Sequence, residues 1–135
     1  MAMQQKQSNY TGGDCMSGIQ PFVKRISEME GYEKEGVTFL EEADAETLSA
    51  NYVRVQRGQS TSAGYHDDEE EVYVVTGGKG TIMLADRIRE VQAGDMVYIP
   101  RNTFHQVTCN SVEPLEYICV ANWPDRPAKL QPIHR

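Results

Sequence analysis

Apolar residues along this chain recur at every second position in short runs, not at the three- and four-residue spacing of long helices. Residues 51–56 show it best: Val53 and Val55 share one face of an extended segment and Tyr52 lies on the other, so the valine face looks to a core. Val37 to Leu40 has the β-branched and aromatic content of a strand and runs into the acidic stretch 41–46. Val72 to Val75 is apolar at successive positions, as a strand covered on both faces would be. Thr81 to Ala85 and Ile88 to Val91 flank Asp86 and Arg87 and predict a hairpin that turns there. Met96 to Ile99 is closed by Pro100, which cannot donate to a ladder. Phe104 to Thr108 and Leu115 to Val120 follow, parted by the polar loop 110–114.

Turn signals fall between these runs, at Gly58, at the glycine-rich 76–80 and at Ala93 to Asp95. Many short strands at close spacing, with no strong helical pattern, predict an all-β barrel or sandwich. Helix is confined to the region after Pro21, where Phe22, Val23 and Ile26 form a small apolar cluster and Ser27 to Glu30 offers a weak capping pattern, enough for one turn at most. The ends differ from the middle. Residues 1–20 are polar and glycine-rich, too poor in apolar groups for a packed core, and are expected to be flexible. The tail from Trp123 holds three prolines and is expected to be irregular, with Trp123 packing it onto the barrel.

The 135 residues suit one domain, over 21–135, with room for a single closed core. A net charge of -7 and a pI near 4.9 argue against a nucleic-acid partner and against an anionic membrane surface, both of which need clustered basic groups. No run approaches the ~20 apolar residues that span a bilayer, and the first twenty residues lack a secretory apolar segment. A cytoplasmic protein is the expectation. Cys15, Cys109 and Cys119 are odd in number and lack the spacing of a zinc knuckle or redox dithiol, which fits reduced thiols.

Two patterns carry chemistry. Residues 58–80 read GQSTSAGYHDDEEEVYVVTGGKG, and residues 94–109 read GDMVYIPRNTFHQVTC. Together they resemble the cupin superfamily. The first family motif, G(X)5HXH(X)3,4E(X)6G, is met by Gly58, His66, Glu71 and Gly78, with Gly64 where the family's first histidine usually stands. The second, G(X)5PXG(X)2H(X)3N, is met by Gly94, Pro100 and His105, with Asn102 in place of the glycine and Cys109 in place of the asparagine. Because asparagine is the usual substitute for glycine where φ is positive, Asn102 is expected to adopt that conformation and to aim His105.

The resemblance implies a double-stranded β-helix, or jelly-roll barrel, with a metal held by His66, Glu71 and His105. Glu70 is the rival to Glu71, since the motif allows a gap of three or four. Two imidazoles and one carboxylate form a facial set suited to divalent iron, and manganese, nickel, cobalt and zinc take the same donors. His66 and Glu71 are five apart and would point to opposite faces of an unbroken strand, so a bulge or loop must separate them within 67–70. Asp67, Asp68 and Glu69 are expected to be a solvated loop. Strand alternation puts Tyr73 on the face of Glu71, lining the cavity as a substrate-orienting or acid-base group, and puts Val107 and Cys109 on the face of His105 as its supporting wall. Cys109 has no basic neighbour at local spacing and is expected to be a small core residue.

Similar cupins include dioxygenases, isomerases and lyases, which makes a metal-dependent enzyme acting on a small polar molecule the first functional expectation, an oxidoreductase among its forms. A non-catalytic barrel that binds a small ligand is the second, favoured by Gly64. Similar cupins also pair their barrels, and apolar residues on both faces of the N-terminal strands imply a homodimer.

Overall fold

The computed structural model describes residues 21–42 and 47–122. The expected flexible segment 1–20 and the tail from Trp123 lie outside the described residues.

A 3-10 turn, Ile26–Glu28, is the one helical element among the described residues. Nine strands follow: β1 (Gly31–Lys34), β2 (Val37–Glu42), β3 (Leu48–Val55), β4 (Glu70–Gly77), β5 (Lys79–Leu84), β6 (Arg87–Gln92), β7 (Met96–Ile99), β8 (His105–Cys109) and β9 (Leu115–Asn122). They form a six-stranded sheet in the order β1-β2-β3-β9-β4-β7 and a three-stranded sheet in the order β6-β5-β8, with every pairing antiparallel. The segment 58–64 extends the smaller sheet along the free edge of β8, through Gly58 N–H to Cys109 O at 3.0 Å, Thr61 N–H to Val107 O at 2.9 Å and His105 N–H to Gly64 O at 2.8 Å. Two facing antiparallel sheets of this kind make the expected jelly-roll barrel.

Strand alternation sorts the inward side chains into rows across the large sheet. Val55 on β3 pairs with Leu115 on β9, and the next row holds Val53, Tyr117 and Val75. These close a dry core with Ile82 and Val107 of the smaller sheet. The two rows beyond are Asn51, Cys119 and Tyr73, then Ser49, Ala121 and Glu71. Among the described residues the buried polar side chains, Ser49, Glu69, Glu71 and His105, thus gather at one end of the barrel, and there the space between the sheets stays open.

Three local details depart from the sequence reading or sharpen it. β1 was not expected; it is a four-residue edge strand, mostly exposed, with Glu33 and Lys34 in it, and so lacks the apolar alternation that marks its neighbours. The two-residue turn Glu35-Gly36 after it, with φ of 52° and 79°, is the hairpin signal that would have found it. The β5-β6 hairpin turns at Ala85-Asp86 instead of Asp86-Arg87, because Leu84 pairs with Arg87 and Ala85 takes a φ of 55°.

Asn102 does adopt positive φ, at 63°. Its N–H also bonds to His66 O at 2.7 Å, so one turn fixes the backbone of both histidines. Asn102→Val is expected to lower stability by about 1 kcal/mol or more, since a β-branched residue resists that conformation, whereas Asn102→Gly should be neutral. Thermal melts of both variants check this, and an unchanged midpoint for the valine variant would refute it.

Candidate metal centre

His66, Glu71 and His105 come from three separate places. Glu71 is the second residue of β4 and points inward because of strand phase; His105 is the first residue of β8; His66 sits in the turn before β4, with bends at Asp67 and Asp68 breaking the phase. The break demanded by the five-residue spacing is therefore present. Nε2 of His105 lies 3.3 Å and Nε2 of His66 3.8 Å from the same oxygen, Glu71 Oε1, and one ligand atom from each residue lies within 4.8 Å of the others. Donors bound at about 2.1 Å and right angles to one ion stand about 3 Å apart, so shifts of about 0.3 and 0.8 Å would bring the two imidazole nitrogens to that spacing from Glu71 Oε1. Glu71 Oε1 is buried without a well-aligned hydrogen bond, and a cation between the imidazoles would satisfy it. The residues fit a divalent metal.

His105 and Glu71 are held from behind. Nδ1 of His105 is 2.9 Å from Thr103 O, which makes it the protonated nitrogen and leaves Nε2 as a lone-pair donor when the ring is neutral. The other Glu71 oxygen, Oε2, accepts from the Cys119 thiol at 3.2 Å. Burial pushes the Glu71 carboxyl up, but contacts with His105 and Cys119 and the nearby His66 outweigh it and hold the group below its usual range. Burial also works against charge on His105, yet Glu71 and the Thr103 carbonyl raise it above an ordinary imidazole.

Glu70 falls outside this cluster. It faces outward and accepts a hydrogen bond from Tyr98 Oη at 2.8 Å. Tyr73 shares the inward face of Glu71 as expected, stacked on Tyr117 at 4.5 Å and edge-on to His105 at 6.3 Å. Burial drives its phenol well above the ordinary value, so it stays protonated.

Two expectations are corrected. Val107 and Cys109 share the face of His105 but do not wall the site; both lie in the core, as expected for Cys109, whose Sγ bonds to the carbonyls of Ser111 and Glu113. The supporting thiol is Cys119, which the sequence offered only as one of three cysteines; its register opposite Tyr73 on β9 is what places it. Glu69 is not in a solvated loop. It is 2 % exposed, against the solvent-facing Asp67 two residues before it, and its carboxylate lies 3.7 Å from His66 Nδ1. An acidic run offers no local signal for which member turns inward.

A cavity of about 370 Å³ opens over the trio. Ser49, Asn51, Ser60 and Thr61 line it with Tyr32, stacked on Phe39 at 5.0 Å. Gly64 lies in the wall, bridged to His105, and a Cβ there would meet nothing within 4 Å.

The Cupin domain family matches residues 51–121, more than half of the chain and both motif regions. The chain belongs to the cupin superfamily. A curated Methanocaldococcus jannaschii protein described as uncharacterised is 33% identical over 67 residues, a match covering 50% of this cupin and 54% of that protein, so the chain spans about half the length of the curated relative. Among solved structures, KdgF from a Halomonas species is similar at 20% identity and a TM-score of 0.71, over 80% of this chain and 97% of that one. A predicted oxalate decarboxylase from Thermotoga maritima gives 18% identity and a TM-score of 0.71 over 76% and 99% of the two chains. The formate complex of Lactobacillus farciminis oxalate decarboxylase gives 24% identity and 0.70 over 77% and 34%. At these identities the structural likeness speaks for the fold alone. No helix among the described residues is long and apolar enough to cross a membrane.

Proposed function

We propose that this cupin is a metal-dependent enzyme for a small polar molecule, with His66, Glu71 and His105 as the protein ligands of a divalent ion. The observation that carries the reading is the convergence of both Nε2 atoms on one buried carboxylate oxygen at the floor of a cavity of small-ligand size. Iron suits this facial set best, while manganese, nickel, cobalt and zinc accept the same donors. When bound, the ion would supply Lewis acidity or a dioxygen-binding centre. The protein's part is to shape the cavity, fix the ligand tautomers and offer a proton. Tyr73, kept protonated by burial, is suited to donating a hydrogen bond or a proton to substrate and poorly suited to acting as a resting base.

Charge narrows the substrate class. Glu69 and Glu71 are both buried at the site, and Lys34, solvent-facing, is the one lysine or arginine among the described lining residues. Two carboxylates cancel the charge of a divalent ion, so a neutral or cationic substrate is favoured over a small dicarboxylate. Metal analysis of the purified protein, then turnover and oxygen-uptake assays over neutral, cationic and anionic metabolites, tests the reading. Metal-dependent turnover supports it. Stoichiometric metal without turnover would favour the alternative, a ligand-binding barrel, for which Gly64 in place of a fourth protein donor is the supporting observation.

The outer face of the six-stranded sheet supports a homodimer as part of the same proposal. Leu48, Met96, Tyr98 and Val120 are exposed there, and Phe22, Ile26 and Met29 rim an apolar groove with Tyr52 and Ile118. Light scattering at micromolar concentration should give twice the chain mass; a stable monomer would rule it out.

A further inference from the structure

The buried carboxylate of Glu69 has no part in the three-donor set, and its place in the fold gives it a different task. His66 bridges two carboxylates through its two nitrogens: Nε2 is 3.8 Å from Glu71 Oε1, and Nδ1, on the other side of the ring, is 3.7 Å from Glu69 Oε1. Glu69 therefore stands behind the imidazole and not beside the other donors, which is why it falls outside the cluster of mutually close ligand atoms. It is 2 % exposed, more deeply buried than Glu71 at 7 %. Burying a carboxylate is costly unless cations or donors answer it, and Nδ1 of His66 is one such group facing it.

We infer that Glu69 is a positioning residue for His66: it accepts the Nδ1 proton, holds the tautomer that presents Nε2 to the ion, and makes that nitrogen a stronger donor. His105 is served in the same way by the Thr103 carbonyl at 2.9 Å, so the two imidazoles enter the site with matched tautomers but unequal support, one neutral and one anionic. The His66–Glu69 separation is about 0.8 Å longer than an ordinary N–H···O bond, a gap for the ring to close as Nε2 engages the ion. The stronger support falls where the chain has given up a ligand. Gly64 stands two residues before His66 in open space, so three donors must do what four do in the family's motif, and a carboxylate-backed histidine offsets part of that loss. This inference rests on the metal reading above.

Titration of the metal-free, full-length protein with Co²⁺, followed by the visible absorption of the bound ion, tests it. Glu69→Leu should weaken Co²⁺ binding by about 10- to 100-fold, the usual cost of removing a group that orients a ligand. Glu69→Gln, which keeps a carbonyl acceptor, should recover most of the loss, a rescue that a purely structural role would not give. In the Gly64→His background, Glu69→Leu should cost less. Nitrogen-15 NMR of the zinc-loaded wild type should show His66 protonated at Nδ1. Wild-type affinity in a folded Glu69→Leu protein overturns the inference and leaves the metal centre standing, whereas failure of the wild type to bind Co²⁺ or Zn²⁺ removes both. Should Glu69→Leu not fold, the wild-type spectrum decides: a His66 ring protonated at Nε2 overturns the proposal.

Discussion

His105→Ala is expected to empty the metal site. Glu71 and His66 alone would remain, 3.8 Å apart at the nearest donor atoms, and two donors do not retain a divalent ion through purification. The loss in affinity should exceed the roughly 100-fold that removing a merely supporting group can cost. Metal content by mass spectrometry measures it, and full retention in the variant would end the proposal that these residues form the centre. The opposite change is equally informative. Gly64→His adds a side chain at a position whose Cβ meets no atom within 4 Å, directly across from His105. It should complete a four-donor site, tighten metal binding and slow any turnover by occupying a position that a catalytic metal keeps exchangeable.

Gly78→Ala should be among the most destabilising single substitutions in the chain. Gly78 joins β4 to β5, where the backbone leaves the large sheet for the small one, and its φ is 77°. An added Cβ would lie 2.2 Å from Pro114 O and 2.7 Å from Leu115 Cα, both of them backbone atoms leading into β9. Strain in the left-handed region and displacement of a central strand together should cost about 3 kcal/mol or more. Gly58→Ala separates the two causes: Gly58 has the same φ of 77°, but its Cβ would meet nothing within 4 Å. That variant should lose only about 1 kcal/mol. Chemical denaturation of both proteins gives the comparison, and equal losses would show that the collision at Pro114 is absorbed without cost.

The Gly78 collision also explains why the first motif ends on glycine here. The spacing from Glu71 to Gly78 carries β4 across the sheet and turns the chain where β9 begins, and that geometry leaves no volume for a side chain. Asn102 is the corresponding device in the second motif, where the sequence substitutes a residue that tolerates positive φ and the turn still binds the carbonyl of His66. The turn over 76–80 and the positive φ at Asn102 were legible in sequence because backbone conformation at a turn depends on the residue occupying it, whereas the approach of Pro114 to Gly78 was not.

By itself the sequence determined the strand inventory from β2 onward, the all-β class, and the candidacy of His66, His105 and one of two adjacent glutamates. Alternation, turn residues and motif spacing are local properties, and they survive folding unchanged. It missed β1, whose charged edge position carries no apolar period, and placed one hairpin turn a residue too late. Tertiary structure decided where each of the three neighbouring glutamates lies. Glu69, Glu70 and Glu71 are chemically identical neighbours, and only the phase of β4 against β9 sends Glu71 to the histidines and Glu70 to Tyr98, while the turn before the strand buries Glu69 behind His66. The same register brought Cys119, 48 residues away in sequence, to the carboxylate of Glu71 and left Cys109 in the core. Contacts of that kind depend on how distant strands align, and nothing in the residues between them encodes the alignment locally.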